Sequence, residues 1–352
     1  MDVSILICTA NRAKELRDTL NSLATARCPG PAELIVVDNK STDATRRVVH
    51  DAAKAYPFPL RYLYEGEEGK YAALNAGIRM AMGRVIAASD DDARFEADWL
   101  ERAVDGLSRY GCAFVGGRVL PLWGGVKPNW LAEHNGLHTK VVALLDHGDR
   151  VREFGRGISW PLGVNVAYRR EVFERVGLFD NRLGRKAGTL RNQAQREWHL
   201  RARAAGERGF YLPEMVVHHL VSPERLAKKY FRRWLYWHGI SRATLYRYGG
   251  FDMEEPELQN PPHAGERSIG GVPVYLIRKA MRSSRSLIWH SMRRDEALAF
   301  EHELWLCFFA GIVRQRWADR KQPVGDGPAW PAATLSDVGV AVGGSDESVL
   351  NV

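Results

Sequence analysis

Short apolar runs alternate with amphipathic stretches over the first 90 residues of the chain. Four of these runs have the length and composition of strands that are buried on both faces, at residues 3–9, 33–37, 60–64 and 84–88. Between them, apolar side chains recur at helical spacing over residues 13–25, 42–55 and 70–82. Strands that alternate with helices in this way predict right-handed βαβ units and a parallel sheet.

The alternation continues less regularly up to about residue 220. The pattern predicts helices over 96–109, 170–177 and 193–205, and strands over 112–120, 163–168 and 210–219. The segment 121–162 carries Trp123, Trp130 and Trp160 among glycines and histidines, without a clear period. A long irregular segment at this point is typical of a loop that covers a ligand, although the tryptophans also suit a core.

From residue 223 the pattern changes to long helices. The predicted helix 224–248 has an aromatic stripe beside a basic cluster, which suits both packing on the rest of the chain and contact with an anionic lipid surface or a lipid diphosphate. A segment rich in proline and glycine, 249–271, separates it from helical patterns at 273–292 and 295–318. From about residue 321 the composition predicts a flexible tail.

The composition of the chain limits the classes of protein to which it can belong. The chain has 352 residues, 45% of them hydrophobic, and a net charge of +8, so it can bury a large core and attract an anionic partner. The four cysteines form no CxxC pair, which favours reduced thiols over a disulfide framework or a zinc site. There is no signal-peptide pattern and no apolar run of about 20 residues, so we expect a cytoplasmic protein whose membrane contact would be peripheral. No nucleic-acid-binding module is recognisable, so we expect no nucleic-acid partner.

Polar residues follow three of the predicted strands. They are Thr9, Ala10, Asn11 and Arg12 after the first, Asp38 and Asn39 after the second, and Asp90, Asp91 and Asp92 after the fourth. Since the carboxyl ends of parallel strands share one edge of a sheet, these groups can converge on one ligand. Three adjacent carboxylates suit Mg²⁺ or Mn²⁺ together with phosphate oxygens, whereas by themselves they also suit a solvated loop that caps the next helix.

Individual side chains suggest a division of roles at that edge. Asp38 could accept a hydrogen bond from a ring N–H of a base or from a ribose hydroxyl, and Arg12 and Lys70 could contact phosphates. The first strand is not followed by GxGxxG, which argues against a dinucleotide fold. Residues 66–71 contain Gly-Lys but lack the spacing of a P-loop.

In order and spacing, these motifs resemble the GT-A glycosyltransferases of family 2, which use nucleotide-diphospho-sugars. The resemblance extends from Val3 to about Leu220 and is carried by residues 3–12, 36–43, 70–77, 89–92, 163–170 and 173–180. It implies an α/β fold of GT-A type, with a Rossmann-like, mostly parallel sheet flanked by helices and a C-terminal helical extension. The implied units are a catalytic domain, 1–222, with a nucleotide-binding half, 1–120, and an acceptor half, 121–222, then a basic and aromatic helical extension, 223–320, and a tail, 321–352.

The resemblance also assigns roles to residues. Those implied in nucleotide binding are Thr9, Ala10, Asn11, Arg12, Asp38, Lys70, Asn75, Asp90 and Asp91, with Asp38 on a base that is usually uracil. Asp92, together with Asp90 and His219, would hold a divalent metal, Mn²⁺ or Mg²⁺, although His219 is equally compatible with a partly exposed loop. Trp160, Gly163 and Asn165 are assigned to the donor and acceptor side.

One departure from the family concerns the general base. Family members carry an acidic pair on the helix after the acceptor segment, one acid of which deprotonates the acceptor hydroxyl, whereas this chain has Ala194 and Gln195 there. Glu197, one turn on from Ala194, or a less obvious acid such as Asp146 or Asp180, is a candidate base. Alternatively the chain is naturally inactive, or Ala194 replaces an acid. In that last case Ala194→Glu would raise turnover by orders of magnitude.

The resemblance therefore implies an inverting, metal-dependent glycosyltransferase that moves a sugar from a nucleotide-diphosphate donor, most simply a UDP-sugar, to a hydroxyl acceptor. The acceptor could be a glycan, a lipid-linked molecule or a small molecule in glycan or glycolipid biosynthesis. The missing acids suggest the alternative of a non-catalytic nucleotide-sugar-binding or membrane-associated scaffold protein. A sugar nucleotidyltransferase shares the sheet type, but the Gly-rich N-terminal loop with arginine and lysine that it needs is not in the sequence.

Overall fold

The structure is a computed structural model that describes residues 1–131, 136–155, 157–247, 267–320 and 349–351. Its strands are β1 Val3–Thr9, β2 Ala32–Asp38, β3 Leu60–Tyr64, β4 Val85–Asp90, β5 Ala93–Phe95, β6 Phe114–Trp123, β7 Arg152–Glu153, β8 Val166–Arg169, β9 Gly209–Val221, β10 Ser268–Ile269, β11 Val272–Pro273 and β12 Val349–Asn351. Its helices are α1 Ala13–Leu23, α2 Thr45–Ala53, α3 Lys70–Met80, α4 Trp99–Arg109, α5 Gly136–Val141, α6 Val172–Val176, α7 Ala194–Ala204, α8 Lys228–Tyr246, α9 Val274–Met292 and α10 Glu296–Asp319. Short 3₁₀ turns at Asn181–Leu183 and Pro223–Leu226 precede α7 and α8.

One ten-stranded sheet organises the chain, in the order β12-β3-β2-β1-β4-β8-β6-β9-β5, with β7 paired to β9. Strands β3, β2, β1 and β4 are parallel to one another, as the sequence predicts. Strand β8 runs antiparallel to both β4 and β6, while β6 and β9 are again parallel. The predicted α/β fold class is confirmed, with antiparallel strands added beyond β4.

The register between the parallel strands determines which residues lie side by side where the strands end. Thr9 pairs with Asp38 across β1 and β2, and Cys8 pairs with Asp90 across β1 and β4. Strands β1 and β2 are buried along almost their whole length because the sheet is covered on both faces. The polar groups that follow these strands therefore meet at one edge of the sheet.

Alternate side chains of the central strands fill two separate cores. Leu6 lies in one hydrophobic cluster and Ile5 in the other, because successive side chains of a strand point to opposite faces. A third cluster lies among the C-terminal helices and contains Phe231 and Phe308. This third cluster also contains Val141 and Leu190, so the extension packs directly on the preceding part of the chain.

Two glycines allow α8 and α10 to cross closely. A Cβ atom at Gly239 would lie 1.9 Å from the carbonyl oxygen of Phe308, and one at Gly311 would lie 2.0 Å from that of Tyr236. Neither helix could keep its place with a larger residue at these points. The close crossing fixes α8, which contributes a wall to the candidate site.

The C-terminal third departs from the sequence prediction in detail. The predicted helix 224–248 is a 3₁₀ turn followed by α8, whose apolar stripe packs inward as expected. Only residues 267–271 of the predicted linker belong to the described residues, and they lead into the hairpin of β10 and β11. The predicted flexible tail lies outside the described residues except for β12, which pairs antiparallel with β3. Among the helices of the described segments, none is long and apolar enough to span a bilayer.

Candidate active site

A cavity of about 500 Å³ opens at the edge of the sheet where β1, β2 and β4 end. The strand-end and helix residues that the sequence indicated and that line this cavity are Thr9, Ala10, Asn11, Arg12, Asn39, Lys70, Asp90, Asp91 and Asp92. The other lining residues are Cys8, Lys40, Glu68, Gly69, Arg185, Lys186, Ala187 and Arg225. The predicted convergence of three strand ends on one cavity is confirmed.

The loops after β1 and β2 hold each other in place. Asn11 and Lys40 have φ values of +54° and +65°, which are uncommon for residues with a Cβ atom. The Asn11 Oδ1 accepts a hydrogen bond from the backbone N–H of Thr42 at 2.7 Å, and the Ser41 hydroxyl accepts one from the backbone N–H of Asn11 at 2.9 Å. These bonds offset the cost of the left-handed backbone and fix the cavity wall in advance of binding.

Asp91 holds Arg12 at the cavity wall. Its carboxylate accepts hydrogen bonds from the Thr9 hydroxyl at 2.8 Å and from Arg12 Nη1 at 2.6 Å. Asp91 is itself buried, and its backbone carbonyl accepts a further bond from the Thr19 hydroxyl at 2.7 Å. Asp91 therefore positions an arginine whose charge suits an anionic ligand.

Asp90, Asp92 and His219 form a group that can hold a metal ion, since one ligand atom from each lies within 4.8 Å of the others. His219 reaches this place because β5 pairs with β9 and sets it opposite Ala93, and it is buried rather than on an exposed loop. Both carboxylate oxygens of Asp92 and the Nδ1 of His219 are buried, and none of these atoms makes a hydrogen bond of good geometry with the described groups, although Asp92 is in ion-pair contact with Arg12. Buried oxygen and nitrogen atoms of this kind are what a divalent cation satisfies, so the donor set fits Mn²⁺ or Mg²⁺.

Fixed positive charges surround these acids. Three cationic or imidazole nitrogens lie close to the carboxylate oxygens of Asp92: Arg12 Nη2 at 2.9 Å, His219 Nε2 at 3.3 Å and Arg225 Nη2 at 3.4 Å. Burial alone would raise the pKa of Asp92, but His219, Arg12 and Arg225 outweigh it and hold this pKa below its usual range. Lys70 forms an ion pair with Asp90. The site therefore offers carboxylates to a cation and cationic side chains to a polyanion.

A second cavity of about 230 Å³ adjoins the first. Four residues line both cavities and mark the passage between them: Lys70, Asp90, Arg185 and Arg225. The rest of the lining is Tyr71, Lys140, Val141, Ala143, Trp160, Pro161, Leu162, Gly163, Val164, Arg191, Asn192, Gln193, Gln195, Arg196, His219, Tyr230, Trp234 and His238. Trp160 and Gly163, which the resemblance assigned to the donor and acceptor side, line this second cavity.

Three predicted contact residues line neither cavity, because their polar atoms serve the fold. Asp38 accepts a hydrogen bond from the Tyr62 hydroxyl at 2.7 Å. Asn75 exchanges two hydrogen bonds with the backbone of Phe179, at 2.8 and 3.0 Å. Asn165 donates to two backbone carbonyls, at 2.9 and 2.8 Å. In this structure the polar atoms of these side chains bind other parts of the fold, and their direct contact with a ligand stays a prediction.

The surroundings of Ala194 and Glu197 at the start of α7 do not match the hypotheses that a general base acts from either position. Ala194 is fully buried in the hydrophobic core. Glu197 is also fully buried, and its carboxylate pairs with Arg201 at 2.7 Å. Neither residue lines a cavity, whereas Gln195 lines the second. A glutamate at position 194 would have to bury its carboxylate among apolar side chains, so the structure gives no geometric support to Ala194→Glu as an activating change.

The two other candidate acids are also held elsewhere. Asp180 is buried and forms hydrogen bonds with Arg182 at 2.7 to 3.1 Å. Asp146 forms an ion pair with Arg118 at 3.1 Å and accepts a hydrogen bond from the Tyr211 hydroxyl at 3.2 Å. Neither carboxylate lines one of the two cavities, so neither is placed to take a proton from an acceptor there.

Several basic residues of the two cavities were not among the predicted site residues. Arg185 and Lys186 come from an irregular segment before α7, and Arg225 was noted only as part of the basic cluster beside a predicted helix. Arg225 Nη1 lies 3.2 Å from His219 Nε2 because β9 and the 3₁₀ turn after it bring the two side chains together. The density of basic residues after position 180 was a signal, but only the fold shows which of them face the site.

Comparison with known proteins agrees with this geometry. Glycosyl transferase family 2 matches residues 4–177. The chain is 31% identical over 235 residues to the Glycosyltransferase AglE of Haloferax volcanii, a match that covers 65% of this chain and 71% of that protein. It is 27% identical over 290 residues to the Glucosyl-dolichyl phosphate glucuronosyltransferase of the same organism, which covers 79% of this chain and 85% of that protein.

Two solved structures are similar over most of the chain. The mannosyltransferase PcManGT from Pyrobaculum calidifontis, solved in complex with GDP-Man and Mn²⁺, aligns with a TM-score of 0.55 at 21% identity and covers 90% of this chain and 87% of that one. S. aureus TarS 1-349, solved in complex with UDP, aligns with a TM-score of 0.50 at 16% identity and covers 90% of this chain and 92% of that one. At such identities the likeness concerns the fold alone.

Proposed function

Since this chain belongs to glycosyl transferase family 2, it is a glycosyltransferase, and we propose that it moves a sugar from a nucleotide-diphosphate donor in the first cavity to an acceptor in the second. The fold is of GT-A type, as the resemblance in the sequence implied. By name, the two Haloferax relatives are glycosyltransferases, and one of them is a glucosyl-dolichyl phosphate glucuronosyltransferase. We therefore also propose a role in glycan or glycolipid biosynthesis.

The observation that carries the proposal is the metal-competent group beside a cationic cavity. Asp90, Asp92 and His219 stand at the carboxyl edge of the sheet, where open α/β sheets bind nucleotides. A volume of about 500 Å³ lies in the usual range for small-molecule sites. Of the two structural neighbours, one was solved with UDP and the other with GDP-Man and Mn²⁺, and we propose UDP-sugars with Mn²⁺ or Mg²⁺ as the first donors to test.

The residues between the two cavities suggest how transfer proceeds. When bound, a divalent cation supplies positive charge for the leaving diphosphate. Lys70, Arg185 and Arg225 line both cavities, so their charges can stabilise the negative charge that develops as the bond from sugar to diphosphate breaks. An acceptor in the second cavity would reach the anomeric carbon from the side opposite the diphosphate. We therefore propose inversion at that carbon.

Donor binding tests this proposal directly. We expect at least one nucleotide sugar to bind in the presence of Mn²⁺ and to bind about tenfold more weakly once the metal is chelated, since the metal and the diphosphate stabilise each other. Isothermal titration calorimetry on the full chain measures both affinities, and a nucleoside without phosphates is the control. If no nucleotide sugar binds with Mn²⁺, the proposal is wrong. Transfer or hydrolysis of the sugar would exclude the pure binding protein.

A peripheral membrane contact is proposed on a different helix from the one the sequence suggested. Two basic residues of α8 form ion pairs with α10, namely Lys228 with Glu296 and Arg232 with Glu303 at 2.7 Å. Helix α9 instead has no acidic residue, and one of its faces exposes both apolar and basic side chains. The exposed residues of this face are Arg278, Met281, Arg282, Arg285, Ile288, Trp289, Met292 and Arg293. Apolar and basic side chains on one face are typical of helices that lie on anionic lipid surfaces.

Removing charge from α9 is expected to weaken binding to anionic vesicles. Each basic residue near such a surface contributes about 1 kcal/mol, so Arg282→Gln with Arg285→Gln should lower the partition coefficient by about 30-fold. Cosedimentation with vesicles that contain phosphatidylserine measures this, and neutral vesicles should bind neither protein. The matched control removes two exposed arginines of α1 and α2, Arg17→Gln with Arg47→Gln. Equal loss in both double variants would show a net-charge effect and contradict a docking face on α9.

A further inference from the structure

An irregular segment before α7 contributes to the walls of both cavities. We call it the strap, residues 181–188, which begins with the 3₁₀ turn Asn181–Leu183. Its Arg185 lines both cavities, and its Lys186 and Ala187 line the first. After Leu183 the strap is neither helix nor strand. Its place beside the cavities is therefore set by contacts with other parts of the chain.

The side chain of Asn181 clamps the start of the strap to the loop before α3. Its Nδ2 donates hydrogen bonds to Glu67 Oε1 at 2.7 Å and to the backbone carbonyl of Glu68 at 3.2 Å. Its Oδ1 accepts one from the backbone N–H of Ala72 at 3.2 Å. Both ends of the amide are thus used, which fixes its orientation. Asn181 itself lines neither cavity.

Two backbone contacts hold the middle of the strap. The backbone N–H of Ala187 donates to the carboxylate of Glu68, and that of Lys70 donates to the carbonyl of Arg185 at 3.2 Å. The Lys70 side chain in turn pairs with Asp90, a member of the metal-competent group. The main chain at Arg185 is therefore tied to the residue that contacts this group.

Two glycines allow the strap to approach the loop this closely. A Cβ atom at Gly69 would lie 2.3 Å from Asn181 Oδ1, and one at Gly184 would lie 2.4 Å from a ring carbon of Tyr71. Gly69 has a φ of +135°, which also favours glycine. Gly184 has an ordinary φ of −91°, so a larger residue there would be opposed by the contact alone.

The loop that holds the strap is itself held by the end of β2. Asn39, which lines the first cavity, accepts a hydrogen bond from the backbone N–H of Gly69 at 2.8 Å. Its Nδ2 donates to the backbone carbonyls of Glu65 and Glu67, at 3.1 and 2.7 Å. A continuous network of hydrogen bonds thus connects a strand end of the first cavity to the strap. A wall that is fixed in this way costs less to order when a ligand binds.

This network suggests which strap residue meets the ligand and which residue positions it. We propose that Arg185 binds the donor diphosphate at the passage between the cavities and that Asn181 positions Arg185 by clamping the strap. Arg185 shares this passage with Lys70 and Arg225. A guanidinium can make two parallel hydrogen bonds to phosphate oxygens, and these require a defined direction of approach. The inference rests on the proposed function and adds to it a residue that touches no ligand.

A double-mutant cycle in nucleotide affinity tests the inference. Calorimetry on the full chain measures the binding of UDP in the presence of Mn²⁺, or of GDP if UDP does not bind. We expect Arg185→Gln to weaken binding by about tenfold and Asn181→Ala by about fivefold. The double variant should bind no more weakly than Arg185→Gln, because without the guanidinium Asn181 has nothing to position.

Two results would contradict this expectation. If the losses multiplied, to about fiftyfold in the double variant, Asn181 would act independently of Arg185. If Arg185→Gln bound the nucleotide as tightly as the parent, the contact with the diphosphate would be wrong. Arg185→Lys keeps the charge without the planar fork, so it should lie between the parent and Arg185→Gln.

A pair of glycine variants tests the position of the strap without removing a polar group. Gly184→Ala should push the strap away from Tyr71 and weaken nucleotide binding, as Asn181→Ala does. The matched control is Gly66→Ala, an exposed position where the nearest atom to a Cβ is a ring carbon of Tyr64 at 3.9 Å. This control should bind like the parent. Unchanged binding in Gly184→Ala would count against the strap.

The nucleoside uridine separates positioning of Arg185 from a general distortion of the cavity. Because uridine has no phosphate, its binding should be the same in the parent and in every strap variant. An equal loss for uridine and UDP would overturn the inference. If neither UDP nor GDP binds the parent with Mn²⁺, the proposed function is wrong and the inference fails with it. If one of them binds and the strap variants change nothing, only the inference is wrong.

Discussion

Replacing Asp92 with asparagine is expected to reduce sugar transfer by about three orders of magnitude. The carboxylate is 1% exposed and belongs to the group that can hold a metal. An asparagine fills the same space but removes the charge that balances a divalent cation and the nearby arginines. Without this charge, Mn²⁺ should bind weakly, and the leaving diphosphate should lose its main source of stabilisation. The loss of metal affinity should therefore be the primary effect of the substitution, and the loss of turnover should follow from it.

Two measurements check this result. Calorimetric titration of Mn²⁺ in the presence of UDP should show a loss of metal affinity for Asp92→Asn, and a transfer assay should show the loss of turnover. The matched control is Asp51→Asn, which changes an exposed aspartate of α2 that pairs with Lys54 at 2.9 Å, and which should act like the parent protein. Circular dichroism confirms that both variants fold. An Asp92→Asn protein that keeps metal-dependent transfer at the parent rate would contradict the assignment of the metal group.

Much of the fold could be predicted because the central strands are buried on both faces. An uninterrupted apolar run such as 3–9 has few other interpretations, and the alternation with amphipathic helices then fixes a parallel sheet. The position of the acids at a strand end follows from the same pattern. The short elements β5 and α5 were missed because their sequences show no clear period.

The candidate site was harder to predict, because sequence position does not tell a side chain that lines a cavity from one that supports it. Asp38, Asn75 and Asn165 stand in the right segments, yet their polar atoms bind other parts of the fold. Arg225 lies in the site because β9 and the 3₁₀ turn after it bring this side chain beside His219, which no local pattern indicates. The residues that were correctly placed are those whose backbone position at a strand end already determines their surroundings.

Glu197→Gln is expected to lower the free energy of unfolding by about 3–5 kcal/mol, as is usual when one partner of a buried ion pair is removed. The carboxylate meets Arg201 through two contacts, at 2.7 and 3.1 Å, and both side chains are at most 5% exposed. Arg201 also donates to the backbone carbonyls of Val176 and Leu178. Glu197 thus balances the charge of a buried arginine that binds α7 to the segment before it, and this role is structural.

Urea denaturation, followed by tryptophan fluorescence, measures the loss of stability, and a transfer assay at low temperature measures the activity of the folded fraction. We expect the folded Glu197→Gln protein to keep kcat within about threefold of the parent, because the carboxylate lines neither cavity. The control is Glu171→Gln, an exposed residue whose contact with Arg175 is 4.0 Å long and whose loss should change stability by less than about 1 kcal/mol. If Glu197→Gln instead kept full stability and lost transfer, Glu197 would be the general base. The acceptor would then be a hydroxyl.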